Sequence, residues 1–132
     1  MPQVKFMTLW ISLIIIVTFA IQTFFPVFEN SLILNSDSIR EPWRFITAIF
    51  LHGSITHLLF NLFGLVLFGL ILEKIIGSKK FLLVFFTTGI LADIIAYNFY
   101  PSSLGSSGAV MGVIGTLAII RPMMAIFAFG MI

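Results

Sequence analysis

The chain contains no cysteine, which excludes disulfides, thiolate metal sites and a thiol nucleophile. Charge is nearly as scarce. Asp, Glu, Lys and Arg make up 9% of the 132 residues, where a soluble domain carries about 25%. The net charge of +2 comes with no basic cluster interleaved with aromatics, so nothing points to nucleic acid. The two histidines, His52 and His57, do not form an H-E-x-x-H pair, and no acid lies nearby at the start of the second helix. A zinc-protease reading therefore has no ligand set, and neither a metal nor an organic cofactor is expected. What the chain has in excess is apolar bulk: 60% hydrophobic residues, 16 of them Phe, and a mean hydropathy of +1.18. This is the composition of an integral membrane protein, here one transmembrane domain over residues 1–132, and the useful unit is the span.

Residues 6–28 carry no Asp, Lys or Arg before Glu29 and can cross a core of about 30 Å at 1.5 Å per residue. The run is too long for a signal-peptide core, and no A-x-A-like site follows it, so a retained helix is expected. Residues 29–44 are polar and irregular. Residues 45–72 are too long for one straight span, and Gly53-Ser54 breaks them. The second helix is placed at 56–72, with 45–51 as a partly embedded loop or short helix. Residues 73–80 read as a short charged turn, 81–99 as the third span, 100–106 as a loop and 107–120 as a fourth helix. Pro122 suits the first turn of a fifth. The predicted fold is an all-α, polytopic helical bundle with four spans and the start of a fifth.

Lys5, Lys74, Lys79, Lys80 and Arg121 all fall on one side of this topology. By the positive-inside rule that side is cytoplasmic, in the cell membrane, with the N-terminus inside. His57 and Asn61, one turn apart on the second helix, then share the outer leaflet with Ser107 at the start of the fourth. The fourth helix, about 14 residues or 21 Å, is short against the bilayer, so its outer end lies below the surface. Irregular backbone at that depth must line a wet cavity or be buried in protein. A hollow with Ser107 on its floor and His57 and Asn61 on its wall is expected.

The stretch GSSGAVMG, residues 105–112, carries the chemistry. Ser107 opens an apolar helix on which Gly108, Gly112 and Gly115 recur at helical spacing, a small face that lets another helix come close. Serine catalysis needs a base at the hydroxyl and donors for the oxyanion. The free N–H groups of the helix start supply donors, and the His57 ring and Asn61 amide can add more. The plainer reading is a Ser/Gly loop feeding a packed helix, with His57 and Asn61 in interhelical hydrogen bonds. Asp93, the acid inside the third span, offers a third reading as a pathway residue of a small transporter or channel. A structural acid, hydrogen-bonded between helices or near the hollow, is the reading preferred for it.

Four features stand in order: Trp43-Arg44 in the first loop, His57-x-x-x-Asn61 on the second helix, Glu73 before Gly77-Ser78, and Gly105-Ser106-Ser107-Gly108 at the fourth. Together, over about 43–120, they resemble the rhomboid family of intramembrane serine proteases. The resemblance implies that Ser107 is the nucleophile. His57, Asn61 and the backbone N–H of Ser107 would form the oxyanion hole. Trp43 and Arg44 would belong to a loop in the outer leaflet, and Glu73 would be structural. His52 matches an outer-loop histidine of relatives and is read as structural. Substrates would be single-span membrane proteins. Two departures stand out. The family's base is a histidine on a sixth span, beside small residues that pack on the fourth helix; this chain stops in the fifth. And Met111 stands four residues after the serine, where the family often has an aromatic. Residues 1–132 are therefore expected to be a truncated, inactive piece whose glycine face points at a helix it does not contain. The alternative is a non-catalytic rhomboid-like protein that binds membrane helices.

Overall fold

The first uncharged run folds as α1 (Met7–Phe24), which stops just before Pro26 removes a backbone donor. The chain then makes one separate turn, α2 (Val27–Asn30), instead of carrying the first helix on to residue 28. These elements come from a computed structural model that describes residues 2–130, without the side chains of 127–130. A two-residue strand, β1 (Leu34–Asn35), and a 3₁₀ turn (Ser36–Ile39) follow. The expected embedded element is a turn of α-helix, α3 (Arg44–Thr47), running into a 3₁₀ turn (Ala48–Phe50).

Ser54 then caps α4 (Ile55–Ile76): its hydroxyl accepts from the His57 N–H at 3.1 Å. The sequence expectation of a charged turn over residues 73–80 is wrong. Helix α4 continues through Glu73 and Lys74, and α5 (Ser78–Phe99) begins after one residue, Gly77. Gly77 sits at φ +86, a conformation L side chains rarely adopt, and so ends one helix without a loop. Glu73 stays helical because its carboxylate is used elsewhere, as described below. Strand β2 (Ser102–Ser103) pairs antiparallel with β1, Leu34 opposite Ser103 and Asn35 opposite Ser102. Two residues are too few to show alternation, so this clip was invisible in the sequence. The fourth helix, α6 (Ser107–Ile120), has the expected bounds, and α7 (Pro122–Gly130) begins at the proline as expected.

Ile11, Ile15, Leu65, Leu72, Phe81, Phe85, Val113 and Leu117 meet in a core between α1, α4, α5 and α6. The opposite faces stay apolar and exposed, as at Trp10, Phe60, Phe63, Leu83, Ile95 and Ile119. Water would not tolerate so much exposed apolar surface; lipid does. Three helices, α1, α4 and α5, are long and apolar enough to cross a membrane, at 18, 22 and 22 residues. α6 is shorter, with 14. The chain is a multi-pass helical membrane protein.

The glycine stripe of α6 does not face an absent helix. A methyl added at Gly108 would lie 2.2 Å from Ala92 Cβ, and one at Gly112 would lie 2.1 Å from Thr88 Oγ1, both on α5. Gly115, by contrast, has nothing within 4 Å of its Cβ position among the described residues. α5 answers with small residues of its own: Gly89 receives Ala109 on α6 and Ile49 from the 3₁₀ turn. The partner was already in the chain, as Thr88, Gly89 and Ala92.

Candidate functional site

The site is built where α4 and α6 begin side by side. Ser107, the first residue of α6, is exposed, and its Oγ lies 3.2 Å from His57 Nε2. The His57 ring rests on Gly105. A Cβ there would meet His57 Cε1 at 2.6 Å, and Gly105 holds φ +115, so both contact and backbone require glycine. A hydrogen bond from the Gly105 N–H to the Ala48 carbonyl, 2.8 Å, ties this turn to the embedded 3₁₀ segment.

Ring tautomers follow from the partners. His57 Nδ1 receives the Gly53 N–H at a long 3.5 Å. With Nδ1 as acceptor, the tautomer that carries its proton on Nε2 donates to Ser107 Oγ. His52 is the mirror case. It is buried, the Ser106 hydroxyl lies 3.1 Å from its Nε2, and the Ser106 N–H points at the same atom from 3.5 Å. Nε2 is therefore the acceptor and Nδ1 holds the proton. The two rings lie 5.0 Å apart. Burial, and then the neighbouring His57, push the His52 pKa down to about 4. The Phe50 carbonyl works the other way, without reaching hydrogen-bond geometry at Nδ1.

Asn61 is buried one turn below His57 and donates Nδ2–H to the His57 carbonyl at 2.9 Å. This back-bond fixes the amide and leaves its second hydrogen without a partner among the described residues. Ser107, His57 and Asn61 line one cleft of about 540 Å³ between α4 and α6, walled by Phe60, Phe63 and Met111. The three residues expected to share a hollow do line one cleft. It is also set back from one end of the bundle. Gly108 lies against Ala92, and α5 runs on to Phe99, about 10 Å further at 1.5 Å per residue.

The loop residues hold this end together. Arg44, buried, donates Nη1–H to the carbonyls of Asn30 (2.9 Å) and Ile33 (2.8 Å) and pairs with Glu41. Trp43 Nε1–H reaches the Ser31 carbonyl at 3.1 Å. Gln22 on α1 was missed from the sequence. Its amide accepts from the His52 N–H (3.0 Å) and donates to the His52 carbonyl (3.1 Å), so α1 grips the histidine's backbone at both ends. A lone amide in an otherwise apolar span was the available signal. Asp93 does not meet its expectation of hydrogen bonds between helices. It is buried, and its Oδ2 has no partner among the described residues.

Glu73 belongs to the opposite end. Fully buried, it accepts from the N–H groups of Met7 (2.7 Å) and Thr8 (2.9 Å) and from the hydroxyls of Thr8 (2.8 Å) and Ser78 (2.7 Å). It thereby caps the first turn of α1 from another helix.

Known proteins are similar in sequence to this chain. YdcA, a rhomboid protein of Bacillus subtilis (strain 168), is 38% identical over 104 residues, 70% of this chain and 52% of its own length. The rhomboid protease GluP of the same bacterium is 42% identical over 90 residues, 67% of this chain and 17% of its own. The inactive RHOMBOID-like protein 8 of Arabidopsis thaliana is 32% identical over 80 residues, 59% of this chain and 23% of its own. The chain thus spans about half of YdcA and a smaller part of the other two. The Rhomboid domain model matches residues 40–132, which contain the cleft and everything that lines it. The chain belongs to the rhomboid family.

Proposed function

We propose that the chain carries the nucleophile and oxyanion half of an intramembrane serine endopeptidase. The observation that supports this most is the His57 Nε2–Ser107 Oγ contact of 3.2 Å inside a cleft that Asn61 shares. In the proposed reaction Ser107 Oγ attacks a peptide carbonyl of a transmembrane substrate. The oxyanion that forms is met by the Ser107 N–H, the His57 Nε2–H and the free Asn61 amide hydrogen. Cleavage falls near the outer end of the substrate's span, where the helix unwinds, after a small residue that the cleft admits. On this reading the site faces the outer leaflet and the N-terminus is cytoplasmic, the side of Lys5, Lys74, Lys79, Lys80 and Arg121.

Neither histidine of the chain stands as base. His52 is engaged with Ser106, and His57 presents a donor to Ser107. A serine hydroxyl without a base is almost wholly protonated and weakly nucleophilic at neutral pH. Residues 1–132 alone are therefore proposed to be inactive, the base histidine coming from a further span. A fluorophosphonate probe tests this. It should leave residues 1–132 unlabelled and label Ser107 once the span with the base is supplied. Labelling of the isolated residues that Ser107→Ala abolishes would make His57 the base and overturn its assigned role. The second reading is a non-catalytic rhomboid-like protein that binds membrane helices. The similarity to a relative named as inactive favours it, and failure to label in any form would establish it.

A further inference from the structure

The end of the bundle remote from Ser107 holds positive charge for which the site has no use. Lys5, Lys79 and Lys80 line a second cleft of about 450 Å³, between the segment leading into α1 and the start of α5. All three are exposed, as is Lys74 nearby. The ion pair formed among the described residues is Arg44 with Glu41, at the other end. The acid close to these lysines is Glu73, and its oxygens are spent on Met7, Thr8 and Ser78.

The lysines are held together by more than chance. The Ser78 N–H donates to the Gln3 carbonyl at 2.9 Å, and the Lys5 N–H donates to Ser78 Oγ at 2.7 Å. Gly77, whose Cβ position lies 3.1 Å from Pro2 Cβ and 3.3 Å from the Gln3 carbonyl, lets the segment lie flat on the helix junction. This backbone clamp fixes Lys5 over the start of α5, beside Lys79 and Lys80. Like charges brought together by a fixed framework repel, and an anion seated among them removes that cost. The cleft is not wholly polar. Met7, Ile76 and Leu82 line it, and Trp10 and Leu83, about one turn beyond Met7 on α1 and Lys79 on α5, are exposed. A headgroup among lysines with apolar surface running away from it describes a phospholipid better than a free ion.

We propose that this cleft binds the phosphate headgroup of an anionic phospholipid, with Lys5, Lys79 and Lys80 as its ligands and the acyl chains along α1 and α5. The binding is independent of the serine chemistry. Native mass spectrometry of the purified chain in micelles tests it, titrated separately with phosphatidylglycerol, phosphatidylcholine and inorganic phosphate. Phosphatidylglycerol should be retained, and Lys5→Gln with Lys79→Gln should weaken it roughly 10-fold or more, at about a tenfold effect or less per lysine. Lys74→Gln with Arg121→Gln removes the same charge from the same end but outside the cleft, and should leave retention nearly unchanged. Equal loss in both double variants would reduce the effect to diffuse surface charge and overturn the site. So would equal retention of phosphatidylcholine, or inorganic phosphate binding as tightly as the lipid.

Discussion

The two ends of the bundle solve opposite problems with similar residue types. At the Glu73 end a buried carboxylate accepts four hydrogen bonds from three residues, and nothing is left over. At the Ser107 end the serine is exposed and touches one ring nitrogen, while among the described residues the second amide hydrogen of Asn61 and Nδ1 of His52 have no partner. A closed network stabilises because every donor it removes from solvent finds an acceptor. An open one keeps donors for something that arrives later, and gives up stability to do so. The proposed chemistry lies at the open end.

Removing Glu73 should hurt folding most. Glu73→Ala strands the N–H groups of Met7 and Thr8 and two hydroxyls, and should lower the unfolding free energy by about 3–5 kcal/mol. Ser107→Ala should change it by less than about 0.5 kcal/mol. Equal losses in a denaturation series followed by circular dichroism would erase the contrast.

At the open end the expected damage is kinetic. In a form that carries the proposed base, Asn61→Ala should lower kcat by roughly 10-fold to 10³-fold with little change in KM. An effect confined to KM would move Asn61 to substrate binding. Between the ends, Gly112→Val should cost about 1–3 kcal/mol by driving a side chain into Thr88. Gly115→Val, facing open space, should cost far less, and parity between the two would mean that α6 does not lean on α5 as described.

Acid should act through His52. Its folded pKa is about 4, against 6.5 for the free side chain. Between those values the unfolded chain binds a proton that the folded chain refuses, so stability rises with pH across this window. It is fully present above about 6.5 and is lost as pH falls toward 4. His52→Asn should flatten that slope, and an unchanged slope would assign it to another group. The smallest effect is expected at Asp93. With its Oδ2 unpartnered among the described residues, Asp93→Asn should leave most activity in place, and a loss as complete as that of Ser107→Ala would place it in the chemistry.

The cleft was legible because helical geometry is local. His57 and Asn61 share a face by their i, i+4 spacing, and the order of spans brings their end of α4 to the start of α6. What lay hidden depends on partners distant in sequence. Gln22 meets His52 across 30 positions, β1 meets β2 across a whole hairpin of helices, and Glu73 looked like part of a charged turn until its four donors were known. The glycine seam failed for another reason. Gly108 and Gly112 announce a close neighbour without saying which, and the small residues of α5 were passed over as ordinary span.

Gly77 has a consequence for how this chain tolerates insertions. Two 22-residue helices meet across that one residue, with no loop to absorb a change of length. One residue inserted into the first turn of α5 would rotate the rest of that helix by about 100° against α4. Thr88, Gly89 and Ala92 would swing away from α6, although each lies about two turns or more from the insertion. The same insertion between Tyr100 and Pro101 would fall at exposed residues, outside any helix and ahead of β2. The junction therefore acts as a phase setting for the serine helix, and length variation should be absent there and present in the loops around it.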